Sequence, residues 1–353
     1  MNPTTKILVT FFAIGRLLSL TPFYHHSVTR YQKIYSCVLV TLIAVITSLS
    51  ENHRNLFSEY LVKQILYILS DINLLVFSCY TPLSTIFWNR ENWIKLIQNL
   101  KFMVSTSSSS SKISKYVQLA VVRLLVKLVA LILIYDFWAT LFGWTYITSY
   151  NIHYLQYYLF YSYHIFVDVI LYIIFLQYRH LNALLKISVD SDHTLQKIKQ
   201  NYCFLKDTVD VFNEIFGWST AFAISYTILY VLLTFDFMVM NTMRPKNGYL
   251  EIMILADVVL VIFTIVGTSV VILRCDLILK EADNLVKKAY KLQRNCNLMI
   301  YQKQFERFSN ALDQNFPKFS AARFFNIERC TILNIVNTII TIFIVMIQFR
   351  NVV

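Results

Sequence analysis

Three observations predict that this 353-residue chain is an all-α polytopic membrane protein. Only 15% of its residues are charged and 57% are apolar, whereas a soluble domain carries about 25% charge. The apolar residues come in long blocks, not in the alternation that a membrane β-barrel requires. Glycine and proline number five each, too few for a turn-dense all-β chain or a collagen-like one.

A bilayer crossing takes roughly 20 mostly apolar residues. Seven segments qualify, at about 34–50, 61–88, 117–149, 155–178, 211–240, 250–273 and 330–349. Ahead of the first, Lys6 followed by ILVTFFAI imitates a secretory signal, but Arg16 interrupts the run and no small-x-small cleavage site follows. An uncleaved interfacial or cytosolic helix is expected there. The third and fifth segments exceed a bilayer thickness and are expected to tilt or project. Pro82 marks a kink in the second. Between the second and third, STSSSSSK (105–112) reads as a flexible polar linker. Residues 274–329 have apolar positions at helical spacing among mixed charges. They predict a cytosolic helix continuing the sixth span, then a second helix stopped by Pro317. The chain thus divides into a six-span bundle (1–273), cytosolic anchor helices (274–329), and the last span with its C-terminal end (330–353).

The net charge of +12 would suit a nucleic-acid partner, but its placement follows membrane topology instead. With the N-terminus inside, 25 of the 32 Lys and Arg residues fall in cytoplasmic segments, and only Arg54, Arg244, Lys246 and Arg350 lie outside. The positive-inside rule therefore predicts a cytoplasmic N-terminus and an extracellular C-terminus. That is opposite to a G-protein-coupled receptor, whose Asp-Arg-Tyr and Asn-Pro-x-x-Tyr signatures are also missing. Cysteines 37, 79, 203, 275, 296 and 330 form no CxxC pair and no metal-ligand spacing. Free thiols are expected, with neither metal nor cofactor.

The last span carries one polar stripe. Asn334, Thr341 and Gln348 are seven residues apart, which keeps them on one face with a drift of roughly 20° per heptad. Asn337 and Thr338 fall beside that line, and Ile344 and Val345 interrupt it. Polar groups at membrane depth must face protein or water. On spacing alone two explanations stand level. One is interhelical hydrogen bonding within a bundle. The other is a pore wall, in which amides alternate with aliphatic rings that gate by dewetting.

The tail TIFIVMIQF resembles the TYhhhhhQF signature of insect gustatory receptors, through Thr341, five apolar residues 343–347, Gln348 and Phe349. Ile342 stands where that family usually has Tyr. The likeness extends over RFFNIERCTILNIVNTIITIFIVMIQF (323–349), NEIFGWSTAFAISYTILY (213–230), RHLNALL (179–185) and CDLILKEADNLV (275–286). The resemblance implies a ligand-gated, non-selective cation channel in the plasma membrane of a sensory neuron, tetrameric in this superfamily. It would be a homotetramer or a heterotetramer with related receptors. Carried onto this chain, Gln348, Phe349 and Val345 are gate positions and Thr341 lies deeper on the same helix. Residues 1–273 become the ligand-binding bundle, and cytosolic helices hold the subunits together.

A second stripe runs along the fourth span: Tyr154, Tyr157, Tyr161, His164, Asp168 and Tyr172 recur at three- and four-residue steps. Phenols suit amphipathic ligands, while tyrosines near a span end also serve as an interfacial belt. Asp71, Asp136, Asp236 and Asp257 fall in or near the outer halves of other spans. Intramembrane carboxylates are functional candidates, as ligand contacts or cation attractors, and equally serve as structural partners. Together they suggest a hydrated outer cavity. Its candidate ligand contacts are Asp71, Asp136, Tyr157, Tyr161, His164, Tyr226 and Asp257. Sugar receptors of the family tend to carry an acid after the motif's Tyr, and here Phe343 follows. The resemblance thus points to a small-molecule tastant of the bitter or plant-secondary-compound class. A sugar or polyol is the alternative. A proton-coupled transporter comes third, lacking inverted repeats, and no catalytic motif points to an enzyme.

Overall fold

In lipid, a helix satisfies its own backbone donors and acceptors, and almost every described residue is helical. The structure, a computed structural model, describes residues 3–22, 30–52, 61–106, 110–187, 192–242, 250–295 and 299–350. In chain order the helices are α1 (Pro3–Leu17), α2 (Arg30–Asn52), α3 (Leu61–Leu83), α4 (Arg90–Thr106), α5 (Ser110–Phe142), α6 (Trp144–Ile187), α7 (Asp192–Thr242), α8 (Leu250–Asn295), α9 (Met299–Gln314) and α10 (Arg329–Arg350). A two-stranded hairpin, β1 (Ser320–Ala321) and β2 (Phe325–Asn326), lies between α9 and α10. Seven of the helices are long and apolar enough to cross a membrane: α2, α3, α5, α6, α7, α8 and α10. All seven predicted crossings are therefore present, in a multi-pass membrane protein.

α6 is the axis of the bundle. It packs against α2, α3, α4, α5, α7 and α8, and 89% of its most apolar window is buried. Its phenylalanines and tyrosines, Phe160, Tyr161, Tyr163, Phe166 and Tyr178, are among the largest fully buried side chains. Polar rungs tie the periphery together. Asn73 Nδ2 donates to Ser225 Oγ at 2.7 Å and Thr81 shares a proton with Ser219 at 3.1 Å, both between α3 and α7. Lys63 Nζ pairs with Asp236 at 3.4 Å between the same helices. Such bonds add to van der Waals packing where helix association has no hydrophobic drive in lipid.

Several local features depart from the sequence expectation. α1 is a helix, as expected, and the sequence did not foretell that it packs on the bundle: Leu8, Phe11 and Phe12 are buried and Phe11 stacks on Phe166 at 4.2 Å. Gly15 is needed there: a Cβ would meet the Phe166 ring at 2.8 Å. The serine-rich stretch is mostly helix, since Ser105 and Thr106 end α4 and Ser110 to Lys112 begin α5. Only 107–109 of it lie outside the described residues. α4 itself was not anticipated; it buries Trp93, Leu96, Ile97 and Leu100 on one face. After Pro82, which lacks the donor that would bond Ser78, the backbone widens into a π-helical turn over Ser84–Trp88. α9 ends at Gln314, and the hairpin beyond it buries Phe319, Ala321 and Ile327. Asn213 of α7 holds this hairpin, donating to Lys318 O at 2.7 Å and accepting from Ser320 N at 3.2 Å. Cys37, Cys79, Cys203, Cys275 and Cys330 are free thiols, and Cys296 lies outside the described residues.

Candidate functional site

The tyrosines of α6 gather partners from three other helices near its Trp144 end. Tyr157 lies 5.8 Å from Tyr230 and 6.5 Å from Tyr226 between ring centroids, and Tyr226 stacks on Tyr230 at 5.5 Å. One turn nearer the end, Tyr154 and Tyr146 share a hydroxyl proton at 2.7 Å, and Tyr135 of α5 meets Tyr154 edge-on at 5.1 Å. The rings are fixed by Trp138, which stacks on Tyr146 at 5.8 Å. Asp257 of α8 is half-buried within electrostatic reach of Tyr154 and Tyr230. Across the cluster, Asp71 Oδ1 lies 3.4 Å from His153 Nε2, and the imidazole is edge-on to Tyr157 at 6.4 Å. The result is a patch of phenols flanked by two carboxylates. Aromatic faces take up an apolar ring, while hydroxyls and carboxylates orient its polar groups.

Five of the seven predicted ligand residues thus lie in or beside one cluster: Asp71, Tyr157, Tyr161, Tyr226 and Asp257. Tyr161 turns its hydroxyl away, donating to Leu260 O at 3.1 Å or sharing with Thr264 at 3.2 Å. His164 is occupied inside the protein. Its Nδ1 donates to Phe160 O at 2.8 Å, so Nε2 accepts from Thr268 at 3.2 Å, and Thr268 meets Thr227 at 2.7 Å. Gly267 allows this, since a Cβ there would press on His164 Cγ at 3.2 Å. Asp136 is exposed on α5 and stands apart from the cluster. Sequence reasoning missed His153 and Tyr230, although both sit at four-residue steps from residues already singled out, Tyr157 and Tyr226.

Asp168, on the same α6 stripe, is the centre of an ion network. Its Oδ2 accepts from Tyr116 at 2.5 Å and from Arg123 at 3.3 Å, and its Oδ1 accepts from Arg274 Nε at 3.1 Å. Arg274 also donates to the Tyr116 hydroxyl at 2.9 Å, and Tyr116 stacks on Tyr172 at 3.8 Å. This carboxylate locks α5, α6 and α8 together and leaves no oxygen free for a ligand.

α10 presents the opposite arrangement. Only 17% of its apolar window is buried. It rests on α3, α7 and α8 through Ile339 and Met346, with Ile335, Ile342 and Phe343 packed against the same cluster. Asn334, Asn337, Thr338, Thr341, Val345 and Gln348 are exposed. Thr338 donates to Asn334 O at 2.8 Å and Thr341 to Asn337 O at 2.9 Å, both within α10. Among the described residues no side chain of this stripe bonds another helix. The Phe349 side chain lies outside the described residues. Ile342 packs against the cluster of Leu66, Val231, Leu232 and Val261, which Tyr230 also touches.

A half-buried tyrosine patch inside seven membrane helices, with the polar stripe of an apolar last helix turned outward, defines the architecture of a multi-pass membrane protein. The chain belongs to the 7tm chemosensory receptor family, whose profile matches residues 8–351; that family consists of receptors and channels, not enzymes. The fold is similar to that of the insect olfactory receptor OR5 from Machilis hrabei, with a TM-score of 0.67 at 13% identity, covering 98% of each chain. The same receptor in complex with eugenol gives a TM-score of 0.68 at 14% identity, over 99% of this chain and 100% of the other. Comparison with curated protein sequences gives no significant match.

Proposed function

We propose that the chain is a gustatory receptor acting as a ligand-gated, non-selective cation channel for bitter or plant secondary compounds. It would lie in the plasma membrane with its N-terminus inside. The observation that carries the channel reading is the α10 stripe, in which Asn334, Thr341 and Gln348 are exposed and, among the described residues, bond no other helix. Polar side chains at membrane depth need water or protein. A ring of copies around an aqueous path supplies both, with Val345 and Ile344 as the apolar constriction and Gln348 and Phe349 at the gate. This favours the pore wall over hydrogen bonding within one bundle.

The tyrosine patch on α6 and α7 supports the ligand class, because stacked phenol rings suit a flat, partly polar molecule. The likeness to a receptor determined with eugenol supports a small-molecule ligand. Asp257, which has no hydrogen-bonding partner among the described residues, favours the second reading, a polyol that offers several hydroxyls to it. Patch recordings of cells expressing this chain alone test both, under a panel of aromatic plant compounds and sugars. Cation current evoked by the aromatic compounds is expected. Current evoked by sugars alone would transfer the assignment to the polyol, and silence with verified surface expression would overturn a self-sufficient channel.

A further inference from the structure

We propose that the groove between α5 and α8 binds the phosphodiester headgroup of an anionic membrane lipid through Arg123 and Lys127, with Arg274 adding to the field. Two basic side chains pair with one carboxylate here, and a third lies one turn away. Asp168 pairs with Arg274 at 3.1 Å and with Arg123 at 3.3 Å. Lys127, one turn along α5 from Arg123, lies 5.0 Å above the Tyr161 ring and 5.6 Å above that of Phe263. No ion pair or hydrogen bond reaches its ammonium among the described residues. Two positive charges are left over, within helices that cross the membrane. An uncompensated cation at that depth is expensive, so the groove calls for an anion.

The outer member of the network is Arg123. Arg274 is largely enclosed, while the Arg123 side chain is 41% exposed. Around it the exposed surface is apolar: Leu119, Val122 and Val126 on α5, Leu273 and Leu277 on α8. Acyl chains cover such surface in a membrane, so the anion that reaches Arg123 arrives attached to them. Lys112, Arg123 and Lys127 lie within about 60° of one another around α5, and helical side chains lean toward the N-terminus. Lys127 holds its ammonium over the Tyr161 and Phe263 rings, on the same face of α5 as Arg123, and Lys112 continues that face toward the Ser110 end. A guanidinium with free N–H groups beside an ammonium matches a phosphodiester. Asp168 shapes the site by fixing Arg274 and one edge of Arg123.

Native mass spectrometry of the purified full-length protein tests this, with dioleoyl-phosphatidylserine, dioleoyl-phosphatidylcholine or inorganic phosphate added to the detergent. The unaltered protein should retain the phosphatidylserine and lose the phosphatidylcholine. Arg123→Gln with Lys127→Gln should weaken retention about tenfold or more. Arg123→Lys with Lys127→Arg should keep it, and Lys33→Gln on α2 should change nothing. If the double glutamine variant is not monodisperse, Lys127→Gln alone, which leaves the Asp168 pairs intact, must still weaken retention. Equal retention by the glutamine variants, or equal binding of phosphatidylcholine, would overturn the site. Displacement of the lipid by inorganic phosphate would reassign it to a free anion.

Discussion

α6 and α10 are both apolar helices with a polar stripe, and they put that stripe to opposite uses. In α6, 89% of the apolar window is buried and in α10 only 17%. The α6 groups find partners inside the chain: His164 with Phe160 and Thr268, Asp168 with Tyr116 and two arginines, Tyr161 with Leu260 or Thr264. Among the described residues, the α10 groups bond only their own backbone, Thr338 to Asn334 O and Thr341 to Asn337 O. Hydropathy does not separate the two helices; the location of the partners does. A polar residue satisfied internally holds the fold or shapes a pocket, whereas one left over belongs to water or to a neighbouring molecule.

Four substitutions break or sharpen that contrast. The largest effect is expected from Asp168→Ala, which strands Arg274 and Tyr116. Removing one partner of a buried pair costs about 3 kcal/mol or more, so the yield of monodisperse protein on size-exclusion chromatography should collapse. Gly267→Leu drives a side chain into His164, and overpacking of this kind costs about 1–3 kcal/mol. It should lower the melting temperature of the detergent-solubilised protein while leaving it foldable. Gln348→Ala should move stability by no more than about 0.5 kcal/mol, as for other exposed positions, yet change ligand-evoked current or its ion selectivity in patch recordings. A stability loss as large as that of Gly267→Leu would instead place Gln348 among the packing residues. The smallest effect on ligand-evoked current is expected from Ile342→Tyr. It adds a phenol beside the cluster that Tyr230 touches. One new hydrogen bond, worth about 1 kcal/mol, should shift the half-maximal ligand concentration about fivefold.

Local signals made much of this legible. Runs of apolar residues located all seven crossings, and seven-residue spacing located the α10 stripe. Four-residue spacing brought Tyr157 and Tyr161 together, and the α7 and α8 partners Tyr226 and Asp257 do come to the same region. Pairings between distant helices left no local trace. Lys63 and Asp236, or Asp168 and Arg274, are joined only by the packing of α3 on α7 and of α6 on α8. Arg274 sits at a span edge, where its charge reads as a loop residue; its burial against three aromatic rings is a tertiary fact. His164 looked like a ligand group because its two hydrogen-bond partners are a backbone carbonyl and a threonine on another helix. α4 was overlooked because its mixed charges hide a single buried face, that of Trp93, Leu96 and Leu100.

The narrow footing of α10 has a consequence for how such chains diverge. Its own fold constrains the residues turned toward α3, α7 and α8, such as Ile339, Ile342 and Met346. The rest of its circumference, including Leu333, Val336, Ile340 and Ile344, is exposed and contributes little to whether a single chain folds. Selection can therefore reach that surface mainly through what surrounds it. Substitutions there are free to follow whatever lies against the helix, so this surface can vary independently of the demands of folding.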